Sequence, residues 1–488
     1  MSKELLTRFV QVMQKDPLTN SDLDLVILGN SLGLNLEPLS RLWASQEEAF
    51  TVKIREKALK LMETQNQNRI DDTKSFYSGS IDFMVRPHND HLDYFLLETN
   101  GASNRGLSIL TKDQQKLVYE GYFGAVRQAI ERSEQKYNKI LILVGGPIND
   151  GLIHEKAILI NYLRERIKQK GLKAKVFNIY TYNSNFSCDI AFLIADYKQL
   201  SSTLFFENNW VKFKKDNVDV LIGDGIARRI EDPKFNKLIQ EDFKKINTII
   251  INPVYLTTDD KALSYLAKHY VNDILEQYNI AKFLFTRAFN EKDLIDKIQL
   301  AIQQYNRPFV IKPHAGSGGA GVMPIFPDKI KQNTSKIKRI ISQSNKEFFA
   351  KFMKNRDPYP YTLQEMADFS LIDWNGGKRA YDLRIYLSQI GRKIIPIGGL
   401  ARIARGAYVS GIKKEEFVVN LSGYDGKIEV ERGLGLSEKA SEILNLEIDH
   451  FVDIFCNSCI IFKSIVENYK KIINFSKWNQ IIGQNTQY

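Results

Sequence analysis

The sequence predicts a mixed α/β (α+β) protein, with a parallel α/β centre between helical N- and C-terminal segments. Three observations carry this. Apolar residues recur at helical spacing near both ends, wholly apolar strands alternate with amphipathic helices through the middle, and β-patterned segments surround a glycine-rich loop near residue 316.

Residues 1–78 read as helical, with apolar spacing in Leu5, Phe9, Val10 and Met13 and again from Ala49 through Val52, Ile54 and Leu59 to Met62. Residues 79–137 begin with a β pair, 81–85 and 94–100, joined by a polar turn from Arg86 to Asp93, and end in a helix over about 112–135. Residues 138–256 alternate strands and helices. Strands fall at 140–144, 175–179, 190–194, 218–222 and 246–251, and a helix runs to Lys170 after a Gly-Gly-Pro turn. Within 257–435 a helical connection from Asp260 to about Gln304 leads into a strand-rich region around the glycine loop. Residues 436–488 return to helical spacing in Ile443, Leu444, Ile448, Phe451, Ile454 and Phe455.

Composition narrows the class. The 488 residues are 43% hydrophobic and 26% charged, enough for several sizeable cores. No run of about 18 apolar residues predicts a membrane span. The first residues lack the apolar core of a secretion signal, and three cysteines make no disulfide framework, so a cytoplasmic location is expected. The net charge of +11 is spread along the chain. Its denser run, Arg164 to Lys175, reads as a solvated helix face, and no aromatic-plus-basic platform argues for nucleic acid. The balance suits an anionic small substrate. Nothing in the sequence fixes the oligomeric state.

The richest stretch is Arg307-Pro-Phe-Val-Ile-Lys312-Pro313-His-Ala-Gly316-Ser317-Gly318-Gly319-Ala-Gly321. A strand ends on a lysine, and a glycine run follows. An ammonium neutralises phosphate charge, while Gly316, Gly318, Gly319 and Gly321 let backbone N–H groups around Ser317 approach phosphate oxygens. The spacing Gly316-x-Gly318-x-x-Gly321 also fits a dinucleotide fingerprint, but that motif needs a helix next, and Pro324 and Pro327 oppose one. There is no GxxxxGK[ST]. A strand–lysine–loop–strand hairpin over a nucleotide remains.

Three other groups suit the same ligand. Gln364, Glu365 and Met366 end a strand that is expected to present backbone groups to an adenine edge, with Met366 against the ring. Asp382 and Arg384 share a strand face, and Arg402 and Arg405 lie on the next strand; arginines aimed into a cleft suit a transferring phosphoryl group. Glu98-x-Asn100, with Asp82 on the preceding strand, offers hard oxygen ligands for Mg²⁺. Cys456-x-x-Cys459 near His450 lacks the second pair of a zinc site and reads as buried thiols.

Taken in order, these residues resemble the ATP-grasp ligases, in the circularly permuted branch that includes glutathionylspermidine-synthetase-like proteins. The mark of permutation is that Glu98-x-Asn100 precedes the lysine and glycine loop instead of closing the domain. The likeness runs from about 80 to 430 and leaves out both helical ends. It implies that Lys261, after Asn252-Pro-Val-Tyr-Leu, is a first phosphate-binding lysine and Lys312 a second. It also implies that Val419, Asn420 and Ser422 lie on a strand that closes the site and that Arg384 and Arg402 stabilise an acyl phosphate. The implied cofactors are ATP and Mg²⁺, and the implied reaction joins a small-molecule or peptide carboxylate to an amine. Many members carry an arginine two positions before the first metal aspartate, where this chain has Ser80; Arg86 and Arg105 are the candidates to replace it. Two other functions fit the same residues: a non-catalytic nucleotide-binding scaffold or sensor, and a phosphotransferase that stops at the phosphorylated carboxylate.

Overall fold

The structure is a computed structural model and describes residues 2–89, 91–101, 106–134, 139–149, 151–200, 202–223, 225–314, 316, 318–330, 333–352, 356–411, 413–421 and 428–483. In chain order the elements begin with α1 (Ser2–Met13), α2 (Leu25–Leu32), α3 (Glu48–Glu63), β1 (Ser78–His88), β2 (His91–Asn100) and α4 (Lys112–Glu134). The middle holds β3 (Ile140–Gly146), α5 (Ile153–Lys168), β4 (Ala174–Asn178), β5 (Ile190–Asp196), α6 (Tyr197–Leu200), β6 (Leu204–Glu207), β7 (Trp210–Phe213), β8 (Asp216–Asn217), β9 (Val220–Gly223), α7 (Pro233–Glu241) and β10 (Ile249–Ile250). Then come α8 (Tyr255–Asp259), α9 (Lys261–His269), α10 (Asn272–Leu275), β11 (Phe285–Ala288), α11 (Glu291–Tyr305), β12 (Phe309–Lys312), β13 (Met323–Ile325), α12 (Pro327–Ile330) and α13 (Thr334–Phe352). The last part holds β14 (Tyr361–Glu365), β15 (Leu371–Trp374), β16 (Gly377–Ile390), β17 (Lys393–Ile403), α14 (Lys414–Phe417), β18 (Gly433–Gly435), α15 (Glu438–Leu444), α16 (Ile448–Glu467) and α17 (Tyr469–Ile473).

Three sheets matter for the site. The parallel sheet runs β10-β9-β3-β5-β4, and its strands are apolar on both faces because helices cover both, as the unbroken Ile140-Leu-Ile-Leu-Val144 run requires. An antiparallel sheet runs β18-β17-β16-β1-β2, with β15 at the side of β16. Strands from residues 78–100 thus lie beside strands from 377–435 in one sheet. Its inner face packs on α3, α9 and α16, where Ile54, Met62, Leu266, Phe455 and Phe462 meet Phe83, Leu383 and Ile385. A smaller antiparallel sheet, β11-β14-β12-β13, carries the glycine loop between β12 and β13 and packs on α11 and α13.

The structure corrects four expectations. The turn drawn from Arg86 to Asp93 is strand on both sides, up to His88 and from His91; polar residues pair across the hairpin and only look like a loop. The connection 260–304 contains β11, a four-residue strand too short to show a period. The region after the glycine loop holds the long helix α13, whose buried Ile337, Ile341, Ser344 and Phe348 follow helical spacing. Residues 418–421 form no strand and follow the short helix α14. No helix among the described residues is long and apolar enough to cross a membrane.

Candidate active site

Strand register builds the charged end of the site. Asp82 on β1 lies directly opposite Arg384 on β16 and Glu98 on β2, and Asp382 lies opposite Arg402 on β17. Alternation puts Asp382 and Arg384 on one face, as their spacing predicts. Arg384 grips Asp82 with two bonds, Nε at 2.8 Å and a terminal nitrogen at 2.7 Å. Arg402 donates to Asp82 at 2.7 Å and holds Asp382 with Nε at 2.8 Å and a second bond. All four side chains are largely buried. Burial works against ionised Asp82, but the two guanidiniums outweigh it and hold its carboxyl below the usual range. Asp382 goes the other way, raised by burial with Asp82 adding to the rise.

Asp82, expected as a metal ligand, is therefore committed to arginines, because both its oxygens accept guanidinium bonds. Glu98 is different. Its side chain is 32% exposed, and its nearest cations stand back, Lys261 at 3.4 Å and Arg384 at 3.8 Å. Asn100 ends the same strand and buries an amide nitrogen with no partner among the described residues.

The two lysines arrive from different elements. Asp260 caps the start of α9 through the Leu263 N–H and is clamped by Arg287 at 2.8 Å, with His314 at 3.5 Å. That clamp fixes Lys261, the first residue of the helix. One turn on, the buried Tyr265 hydroxyl bonds the Leu97 carbonyl and Gln364. Lys312, at the end of β12, donates to the Tyr265 oxygen at 3.0 Å and the Leu97 carbonyl at 3.3 Å. Burial pushes the Lys312 ammonium down to about 7; Lys261 adds to the fall and Glu98 opposes it.

The cleft these residues line encloses about 970 Å³, counting its part open to solvent. Gly316, Gly318, Gly319 and Ala320 form one wall. Gly318, Gly319 and Gly321 have φ between +61° and +76°, where L side chains are strained. A Cβ on Gly319 would also stand 2.9 Å from Val418. Facing them are Phe417, Val418 and Asn420. Lys414, at the start of α14, ties this segment down by bonding the Gly319 carbonyl at 2.9 Å and pairing with Glu347 of α13. Ser317 and Ser422 lie outside the described residues.

The apolar end is made by Met84, Phe95, Met366, Ala367 and Phe369. Here two expectations change. Gln364 lines the cleft, but its amide is spent on Tyr265 and the Leu96 carbonyl. Glu365 is held by Arg307 at 2.7 Å and by the Leu284 N–H. The N–H groups of Glu365 and Met366 donate to the Leu284 and Pro308 carbonyls, so neither is offered to a ligand. Edge pairing with β11, invisible in sequence, takes part of what the strand end was expected to present. The Met366 side chain does face the cleft.

Of the arginines proposed to stand in for Ser80, Arg86 pairs with Asp93 at the hairpin, and Arg105 lies outside the described residues. Arg384 is the guanidinium beside Asp82. Cys456 and Cys459 are buried thiols on α16, and His450 closes a cap at that helix's start. Sequence reasoning missed Tyr265, the Asp260–Arg287 clamp and Lys414. Only the first left a signal, standing four residues after Lys261 and so on the same helix face.

No family model and no curated protein matches the sequence. Among solved structures, the chain is similar to a putative gamma-glutamylcysteine synthetase from Methylobacillus flagellatus KT (12% identity, 87% of this chain, 96% of that one, TM-score 0.44). It is also similar to a glutathione synthetase-like effector from Globodera pallida (13% identity, 73% and 79%, TM-score 0.38). A third is D-alanyl-alanine synthetase A from Vibrio cholerae O1 biovar eltor (10% identity, 54% and 89%, TM-score 0.26).

Proposed function

We propose that the chain is an ATP-dependent ligase joining a carboxylate to an amine, on an ATP-grasp-like unit in circularly permuted order. One observation carries the reading: Lys261, Lys312 and Glu98, from three separate stretches of chain, meet in one cleft beside the glycine loop. A triphosphate suits this arrangement. Two ammonium groups balance its charge, side-chain-free backbone lets it approach, and the apolar end takes a flat ring.

The donor set fits Mg²⁺ in part. Glu98 is the accessible carboxylate and Asn100 adds an amide on the same strand, while Asp82 joins only if Arg384 lets go. Mg²⁺ bound there would neutralise phosphate charge. The chain's own residues do the positioning. Lys261 and Lys312 orient the polyphosphate, and Arg402, at the cleft wall, stabilises charge on the transferring phosphoryl group. The substrate carboxylate attacks the γ-phosphorus and ADP leaves; the amine then attacks the acyl phosphate and phosphate leaves.

The test is ADP release with Mg²⁺ across carboxylate–amine pairs, with products read by mass spectrometry and Lys312→Ala as control. An amide that appears with ADP and vanishes in the variant supports the ligase. Phosphorylated carboxylate without amide makes the chain a phosphotransferase. Nucleotide binding with no turnover for any pair leaves a scaffold.

A further inference from the structure

The tip of the β1–β2 hairpin gathers ligands that the cleft does not use. His88 and His91 lie directly opposite each other across the hairpin, and Arg86 lies opposite Asp93 two positions back. Directly paired residues hold their Cβ atoms about 5 Å apart, and residues two apart share a face. The register alone therefore brings two imidazoles and one carboxylate together. Their ring planes stack with centroids 5.1 Å apart. His88 Nδ1 is 2.6 Å from one Asp93 oxygen and His91 Nε2 is 3.2 Å from the other. All three ligand atoms fall within 4.8 Å of one another.

We propose that His88, His91 and Asp93 form a site for a borderline first-row divalent cation, with Zn²⁺ as its reference occupant. The residue types select the ion. Two imidazoles with one carboxylate suit Zn²⁺, Ni²⁺ or Cu²⁺, whereas Mg²⁺ and Ca²⁺ prefer oxygen alone. Three protein ligands and one water complete a tetrahedron, whose ligand atoms stand about 3.3 Å apart at Zn–N bonds near 2.0 Å. The separations run from 2.6 Å, between His88 Nδ1 and Asp93 Oδ2, to no more than 4.8 Å, so an ion replaces the His88–Asp93 hydrogen bond, and the rings have room to turn, since His88 is 47% and His91 52% exposed.

The carboxylate is already fixed. Asp93 is 8% exposed, and its Oδ2 accepts from Arg86 at 2.6 Å and meets His88 Nδ1 at 2.6 Å, so Oδ1, 3.2 Å from His91 Nε2, is the oxygen to ligate an ion. A hydrogen-bond partner behind a ligating carboxylate is how metal sites are usually oriented. The same guanidinium opposes a second cation, so the ion is exchangeable and does not hold the fold together. This site is distinct from the cleft, yet it shares a sheet face with it. Met84 and Phe95, the next pair on that face inward from Arg86 and Asp93, line the cleft. The inference does not rest on the ligase reading.

The experiment is calorimetric titration of the full chain with Zn²⁺ in saturating Mg²⁺, together with the absorption spectrum of added Co²⁺. Wild type is expected to take up one equivalent of Zn²⁺ and to give tetrahedral Co²⁺ bands. His88→Ala and His91→Ala should each weaken binding at least about tenfold, while Glu98→Gln leaves it unchanged. Melting curves check that the variants fold, and His88→Gln and His91→Gln replace any that do not. The site is refuted if wild type takes up no Zn²⁺, if the histidine variants bind it as tightly, or if Glu98→Gln removes it.

Discussion

Arg402 donates to Asp82 at 2.7 Å across 320 residues of chain, and with Arg384 and Asp382 it closes a buried group of two cations and two anions. The arginines thereby hold their guanidiniums at fixed positions beside the cleft. Removing one partner of such a group strands a buried charge, which costs about 3–5 kcal/mol.

Asp82→Asn is therefore expected to lower stability at pH 7 by about that amount, measured by denaturant unfolding. The sign with pH follows from the lowered Asp82 pKa. Its contribution is full above the unfolded carboxyl value and is lost as pH falls toward the folded one. Asp382, whose pKa is raised, contributes in the opposite sense, losing stability as pH rises from the unfolded value through the folded one. Asp382→Asn should cost much less than Asp82→Asn, and equal losses would contradict this division.

Lys312→Met separates activity from stability. Nucleotide turnover should fall by about a hundredfold or more, the scale of losing one preorganised charge-stabilising donor. The melting temperature should rise. A lysine pushed down to about 7 sheds a proton that the unfolded chain keeps up to its own, higher pKa, so its burial costs most below pH 7. Thermal melts from pH 6 to 9 check the trend, and the gain should shrink as pH rises.

Nucleotide binding should draw a proton onto Lys312, because phosphate favours the charged form. Affinity for ADP is expected to fall as pH rises above 7, by at most about tenfold per unit, and to level off below about pH 6. Calorimetry in two buffers of different ionisation enthalpy measures the uptake directly. Lys312→Met should abolish it.

Gly319→Ala meets two obstacles, a φ of +70° and Val418 2.9 Å from the new Cβ. The left-handed conformation alone costs about 1–2 kcal/mol. Adding Val418→Ala should relieve the steric part and leave the conformational part, so the double variant should recover only some nucleotide affinity. Full recovery would show that φ does not matter there.

Much of the scaffold was legible. The parallel strands show as unbroken apolar runs, α16 as a helical stripe, and the strand–lysine–glycine loop–strand order survives in β12 and β13. Short or polar elements were not. β11 is four residues long, and the hairpin tip hides strand pairing behind charged and histidine side chains.

Local patterning by itself determined that Lys312 ends a strand before a glycine-rich loop and that Glu98 and Asn100 share a strand face. Only the tertiary structure decided the pairings. Asp82 pairs with Arg384 and Arg402, Glu365 with Arg307 and Leu284, and Lys312 with Tyr265. The reason is register. Which side chains face each other across β1, β16 and β17 depends on strands some 300 residues apart settling side by side, and no local period records that alignment.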